Sequence, residues 1–253
     1  MYKNAIVRLP CRRIKFGLTS SDLGKPDYKK ALDQHSKYVE SLHFLGLDVK
    51  ILPENDLFPD STFIEDVALC TPEFAVITNP GAVSRRGEID GVRQVLEEFY
   101  KNIEEIRDPG TLESGDVLKA GDHFFIGISG RTNNEGADQL TGFLNKYGMT
   151  ASKVELKKML HLKSGVSFLE NNIMLVSGEF TCKSEFAGFK RIKIVAEERY
   201  AANSLLINGK VLVPEGFPRT RKMIERAGHE TIVLDVSEFR KVDGGLSCLS
   251  LRF

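Results

Sequence analysis

Four stretches of the chain share one plan, and this recurrence limits the possible folds more than any other feature. Each is a polar or small cluster, then a short apolar strand, a turn and a second strand. They run Ile64–Cys70 into Phe74–Ile77, Leu112–Leu118 into His123–Gly127, His161–Leu169 into Ile173–Val176, and Ala202–Ile207 into Val211–Val213. Asn208-Gly209 joins the last pair and is a strong hairpin signal. Glu113 and His161 lie 48 residues apart, His161 and Asn203 42, and Asn203 and Cys248 45. Spacings of this size mark an array of one supersecondary unit. Gly244–Leu249 reads as a fifth beginning. The alternating run that follows Gly245 predicts a strand, with residues 4–9 supplying its partner. Helical spacing at 88–102, 134–147 and 217–227 follows the hairpins, with strands at 150–156 and 230–234. Residues 27–46 form a further helix closed by Gly46, and 47–52 a strand ended by Pro53. The expectation is an α/β fold: five ββαβ units standing like propeller blades, with pseudo-five-fold symmetry around a central active-site cavity. Residues 1–253 then form a single domain.

Bulk properties exclude several classes. Lysine plus arginine equals aspartate plus glutamate, at 35 each, so no global field points to nucleic acid or a membrane. No apolar run approaches the roughly 18–20 residues needed to span a bilayer, and the N-terminus lacks the pattern of a signal peptide. Cys11, Cys70, Cys182 and Cys248 contain no C-x-x-C pair. A cysteine zinc site is not expected, nor is a disulfide framework, and the chain reads as cytoplasmic with reduced thiols. No G-x-G-x-x-G or P-loop cradles a nucleotide cofactor.

The starts of the units gather chemistry. Asp60, Glu65 and Asp66 stand at one, Glu113 at the next, His161 at the third and Cys248 at the fifth. Each alone has an ordinary explanation: a turn, a surface charge, a core histidine, a small apolar filler. Together, at equivalent points of a cyclic repeat, they would face one pocket, where unpaired buried charge is costly unless a ligand compensates it. The set suggests nucleophilic catalysis by a cysteine and a histidine, with acidic helpers. Glycines 244 and 245 are expected to leave room beside the thiol. Carboxylates imply a cationic substrate, and a planar guanidinium matches them best. Arg85 and Arg131 follow the first two hairpins at similar offsets and would hold a carboxylate at the substrate's other end. Such a substrate is arginine-like. Arg86 reads as surface charge.

These motifs resemble, in combination, the dimethylarginine dimethylaminohydrolases of the guanidine-modifying superfamily, which have the pentein α/β-propeller fold. The resemblance is carried by Phe16-Gly17-Leu18-Thr19, Pro59 to Asp66, Leu112-Glu113-Ser114-Gly115-Asp116-Val117, Ser129 to Asn133, Leu160 to Ser164 and Gly244 to Cys248. It implies Cys248 as nucleophile, His161 as general acid and then base, and Glu113 as the residue that orients His161. It implies Asp66, with Glu65 beside it, on the guanidinium. Asp60 and the backbone of Leu18 and Val242 match positions that meet the α-amino group, and Arg85 and Arg131 those that meet the α-carboxylate. Residues 16–25 correspond to the family's lid. The resemblance implies products citrulline and dimethylamine, no cofactor and no metal. It leaves open an arginine deiminase or a related hydrolase, and more distantly a non-catalytic pentein that binds the ribosome. Exposed blade edges in such a fold often pair two-fold, which suggests a homodimer. Where the family often has Glu-Gly-Gly-Asp, this chain has Glu113-Ser114-Gly115-Asp116.

Overall fold

The computed structural model describes residues 1–253. In chain order the elements begin with β1 (Asn4–Arg8), α1 (Tyr28–Phe44) and β2 (Asp48–Leu52). Next come β3 (Ala68–Cys70), β4 (Ala75–Ile77), α2 (Ile89–Leu96) and β5 (Ile103–Glu105). They are followed by β6 (Val117–Ala120), β7 (His123–Ile128), α3 (Asn134–Lys146) and β8 (Thr150–Glu155). β9 (Val166–Leu169), β10 (Ile173–Val176) and β11 (Lys190–Lys193) have no α-helix among them. β12 (Leu205–Ile207), β13 (Lys210–Pro214), α4 (Pro218–Arg226), β14 (Glu230–Leu234), α5 (Ser237–Arg240) and β15 (Leu251–Arg252) complete the chain.

The strands make five three-stranded sheets, ordered β15-β1-β2, β3-β4-β5, β6-β7-β8, β9-β10-β11 and β12-β13-β14. Every sheet obeys one rule. The middle strand runs antiparallel to the first and parallel to the third. A hairpin makes the antiparallel pair, and a longer crossover makes the parallel one. The fifth hairpin is discontinuous: Ala5 faces Arg252 and Ile6 faces Leu251, so the two chain ends share a sheet as the alternation suggested.

Local chemistry explains the elements. Asp27 caps α1 by accepting the Lys30 N–H at 2.8 Å, and Asn133 caps α3 by accepting that of Gly136 at 2.8 Å. Asn208 and Gly209 both have positive φ, at 46° and 88°, which suits the tight turn between β12 and β13. In the third repeat two 3-10 turns, Gly178–Cys182 and Ser184–Phe186, replace the helix. Their Phe180 and Phe186 are buried with Phe125, Val154 and Met174, so two rings fill the volume a helical face would cover.

The chain divides into two compact units, Met1–Ile64 with Asn203–Phe253, and Glu65–Ala202. In the second, Phe74, Val76 and Ile126 pack against Leu140 and Leu144 of α3. In the first, the Tyr38 hydroxyl of α1 bonds Ser250 Oγ at 2.7 Å, joining the helix to the C-terminal segment.

Three expectations change. The helix expected over 88–102 ends at Leu96, because Glu97 to Tyr100 tighten into a turn and the Tyr100 hydroxyl bonds the Thr71 carbonyl at 2.8 Å. The short strands β5 and β11 had no sequence signal, and β11 is nearly all basic. Most consequentially, a 3-10 turn precedes the first strand of every sheet. The turns are Ile64–Val67, Ser114–Asp116, Leu162–Ser164, Ala196–Ala202 and Ser247–Leu249. Cys248 therefore lies in a turn, not in a strand, and pairing starts only at Leu251.

Glycines 244 and 245 serve close packing and not an open approach. A Cβ on Gly244 would lie 2.1 Å from the Phe63 ring, and one on Gly245 would lie 2.6 Å from Asn203 Oδ1. Gly244→Ala is therefore expected to cost about 1–3 kcal/mol through overpacking, read as a lower urea midpoint at unchanged m-value. A wild-type midpoint would refute that packing.

Candidate active site

In the unit Glu65–Ala202, three 3-10 turns present the charged residues. Asp66 lies inside the first turn, and Glu113 and His161 are the residues just before the second and third. The repeat thus delivers Glu113 and His161 from equivalent backbone positions, and Asp66 from within the corresponding turn. His161 Nε2 lies 2.7 Å from Glu113 Oε2. A carboxylate can only accept, so the imidazole donates from Nε2 and leaves Nδ1 as its working nitrogen. The other Glu113 oxygen accepts the Ala82 N–H at 3.0 Å, and the Glu113 N–H is taken by Thr132 Oγ1 at 3.2 Å. Glu113 is 1 % exposed, so these fixed donors replace the water it has lost.

Gly115 makes room for the cluster. Its N–H donates to Asp66 Oδ1 at 3.0 Å. A Cβ there would lie 2.7 Å from both Asp66 Oδ1 and His161 Nδ1. Of the two middle residues in Glu113-Ser114-Gly115-Asp116, this glycine is the one geometry requires. The Ser114 hydroxyl, by contrast, is buried without a hydrogen-bond partner.

The electrostatics set protonation. Burial disfavours charge on His161, but Asp66, Asp116 and the bonded Glu113 outweigh it, and its pKa is pushed up to about 9. Burial also works against charge on Asp66, yet His161 and Arg85 hold its carboxyl below the usual range. At neutral pH the site holds an imidazolium between carboxylates. The raised value means that protonated His161 stabilises the fold fully below about pH 6.5, the free-imidazole value, and that this stabilisation is lost as pH rises through about 9.

Arg85 is buried and multiply held. Its Nη1 lies 2.5 Å from Asp66 Oδ2, and its Nη2 2.8 Å from Glu88 Oε2. Glu88 was not singled out in the sequence, because a lone glutamate at a helix start carries no signal. Arg131 is looser, with Nη1 3.8 Å from Glu113 Oε1 and a side chain 23 % exposed, so it is the more available of the two cations. Glu65 pairs with Lys163 at 2.7 Å. Glu179 accepts three successive backbone N–H groups, of Lys157, Lys158 and Met159, at 2.9, 2.9 and 3.0 Å, and so fixes the segment leading to His161.

The unit formed by Met1–Ile64 and Asn203–Phe253 carries the other four candidates. Asp60 Oδ1 accepts the Leu18 N–H at 3.0 Å. A Cβ on Gly17 would meet that oxygen at 2.7 Å and Val242 Cγ1 at 3.4 Å, so Gly17 lets Leu18, Asp60 and Val242 come together. Thr19 Oγ1 donates to the Lys241 carbonyl, and Ser20 donates to Asp243 from N and Oγ at 2.6 and 3.0 Å. Residues 16–25 are thus tied to the segment before Cys248. That thiol is half-buried, and its Sγ lies 3.4 Å from the Gly245 N–H. Asn203 places its turn: Asn203 Nδ2 donates to Ser247 Oγ and Oδ1 accepts the Ser247 N–H, both at 3.0 Å. Asn203 was visible in the sequence only as a repeat marker.

Asp66, Glu113 and His161 each offer a ligand atom within 4.8 Å of the others. Within the set His161 Nε2 is bonded to Glu113, and the Asp66 oxygens accept from Arg85 and Gly115 outside it. An imidazolium has no lone pair to give a metal.

Gly115→Ala is expected to lower kcat by about tenfold or more, since its methyl group would push Asp66 and His161 apart; unchanged kcat would contradict the packing. Glu113→Gln removes an anion from the imidazolium. The loss of stability between about pH 6.5 and 9 should then shrink, as measured by urea unfolding at several pH values.

The family model described as N,N dimethylarginine dimethylhydrolase, eukaryotic, matches residues 24–213. The N(G),N(G)-dimethylarginine dimethylaminohydrolase of Pseudomonas aeruginosa is 51 % identical over 254 residues, covering all of both chains. A solved structure of the P. aeruginosa enzyme, a cysteine-to-serine variant complexed with citrulline, matches with a TM-score of 0.99, 50 % identity and full coverage of both chains. A histidine-to-glycine variant of a dimethylarginine dimethylaminohydrolase, solved as an adduct with S-methyl-L-thiocitrulline, matches with a TM-score of 0.98, 50 % identity and full coverage of both chains. The five repeated sheets are accordingly the α/β-propeller fold expected from the repeat, and this chain belongs to the dimethylarginine dimethylaminohydrolase family.

Proposed function

We propose that the chain hydrolyses Nω,Nω-dimethylarginine to citrulline and dimethylamine, and monomethylarginine to citrulline and methylamine, through a covalent bond to Cys248. The observation that carries this reading is the buried His161–Glu113 pair, 2.7 Å apart, with its imidazole protonated at neutral pH. An imidazolium is the acid that a dialkylamine leaving group requires.

The Cys248 thiolate adds to the guanidinium carbon, forming a C–S bond and a tetrahedral adduct. His161 gives its Nδ1 proton to the dimethylamino nitrogen, the C–N bond breaks and dimethylamine leaves. The remaining thiouronium is attacked by a water whose proton passes to the now neutral His161. The C–S bond then breaks as the adduct's remaining hydroxyl proton passes to solvent, where the released amine takes it up as dimethylammonium; neutral citrulline and the Cys248 thiolate are released, and His161 is again protonated. Glu113 stabilises the charge on His161 and fixes its tautomer, as the third member of a triad does. Asp66 takes the guanidinium: a carboxylate has about four acceptor sites, and Arg85 and Gly115 use two. Glu65 assists from beside it. Asp60 with the backbone of Leu18 and Val242 receives the α-amino group. Arg131 receives the α-carboxylate, with Arg85 behind it. No cofactor enters the scheme.

The reading includes a single domain over residues 1–253, a cytoplasmic enzyme, and a homodimer formed through exposed sheet edges, with no nucleic-acid or membrane partner. No helix of the chain is long and apolar enough to cross a membrane.

Asymmetric dimethylarginine, monomethylarginine and arginine offered in parallel, with citrulline detection, decide the substrate. Release from both methylated substrates is expected, and release from arginine alone would overturn the reading in favour of a deiminase. Cys248→Ser should lose roughly 10⁴-fold or more in kcat with the fold intact. Unaltered turnover would exclude Cys248 as nucleophile.

A further inference from the structure

Asp116 closes the Glu113-Ser114-Gly115-Asp116 turn, and no step of the proposed chemistry uses it. It is wholly buried. Its Oδ2 accepts hydrogen bonds from Ser129 Oγ and Thr132 Oγ1, both at 2.7 Å, and its Oδ1 accepts the Leu162 N–H at 2.9 Å. Each donor leads to a different member of the site. Leu162 follows His161, so its amide fixes the backbone from which the imidazole projects. Thr132 Oγ1 accepts the Glu113 N–H at 3.2 Å. Ser129 Oγ accepts the N–H groups of Arg131 and Thr132 at 3.0 and 3.2 Å.

The directions of these bonds are forced. Each hydroxyl has one proton to donate, and backbone amides occupy its acceptor side, so both protons point at Asp116. Burial raises the pKa of the Asp116 carboxyl, and the three donors converging on its two oxygens favour the charged form against that. Space is reserved for it as well. A Cβ on Gly127 would lie 2.7 Å from Asp116 Oδ1 and 3.1 Å from Leu162 Cβ. We propose that Asp116 is a positioning residue for the reaction: one buried carboxylate that sets the mutual placement of His161, Glu113 and Arg131 through Leu162, Thr132 and Ser129. The inference rests on the function proposed above.

The branches separate the kinetic effects. Thr132→Val removes the hydroxyl between Asp116 and Glu113 while keeping the side chain's shape. The Glu113–His161 pair acts on the leaving group, so this change should lower kcat about tenfold and leave KM within about twofold. Ser129→Ala frees the loop that carries Arg131, which holds the substrate's carboxylate. It should raise KM about tenfold with kcat nearly retained. Asp116→Asn sets an amide N–H₂ against either the two hydroxyl donors or the Leu162 N–H, and removes the charge, so it should lower kcat and raise KM together. Ser114→Ala is the control, because that hydroxyl is buried in the same turn without a partner.

The experiment is steady-state kinetics of the full chain and these four variants, joined to an NMR titration of His161 in the substrate-free proteins. The anions facing His161 are Asp66, Glu113 and Asp116, and the nearby cations Arg85 and Arg131 are paired with Asp66 and Glu113. The His161 midpoint should fall in Asp116→Asn and remain in Ser114→Ala. The proposal is overturned if Asp116→Asn keeps wild-type kcat, KM and His161 midpoint, if Thr132→Val and Ser129→Ala show no split between kcat and KM, or if Ser114→Ala loses as much as Asp116→Asn. Should Asp116→Asn fail to fold, the split between the other two variants decides. Should the wild type turn over none of the guanidines, the functional reading fails, and the His161 midpoint in Asp116→Asn still judges the placement.

Discussion

Burying like charges beside one another is the constraint on which the rest of this structure depends. Asp66, Glu113 and Asp116 are almost wholly removed from water within reach of one imidazole and one guanidinium. Desolvated ions are tolerated only where opposite charge and well-aimed donors replace their hydration. The repeated motif supplies two of those donors, and the residue before a further 3-10 turn, Val83–Glu88, supplies the third. Each first strand begins with a 3-10 turn, whose tight backbone exposes amide groups and puts the preceding residue at its mouth. Gly115, Ala82 and Leu162 give backbone N–H groups to Asp66, Glu113 and Asp116 respectively. The short, strand-poor sheets are a consequence, because residues that cap turns cannot also pair in ladders.

The thiol's surroundings follow a different rule. In the turn that carries Cys248, Asn203 and Ser247 exchange two hydrogen bonds, and Gly244 admits the Phe63 ring. These contacts hold the turn in place, whereas the carboxylates around His161 favour its protonated form.

Much of this was legible in the sequence. The period near 45 residues is visible because each repeat restarts with polar residues before an apolar pair of strands. The joining of the two chain ends in one sheet followed from the same count. Glu113, His161, Asp66 and Cys248 stood out because they recur at that point. The 3-10 turns did not, since three residues are too few to show a period and read equally well as the start of a strand. The alternation after Gly245 misled for that reason. Glycine is ambiguous in sequence: beside Cys248 it suggested open space, and the structure fills that space with Phe63 and Asn203. Glu88, Asn203, Thr132 and Ser129 were illegible as site residues because their importance lies in whom they bond across 3 to 44 positions of chain.

The central claim is that Cys248 forms the covalent bond and His161 manages the protons. It is tested most directly by separating the two in a His161→Gly variant treated with S-methyl-L-thiocitrulline. That compound's thiolate leaving group needs no general acid, so attack by Cys248 should proceed while hydrolysis, which needs the base, stalls. Intact-mass spectrometry followed by peptide mapping should find one adduct, on the peptide containing Cys248, and none in the His161→Gly/Cys248→Ser double variant. An adduct on Cys11, Cys70 or Cys182, or no adduct from a protein whose wild type consumes the compound, would contradict the account.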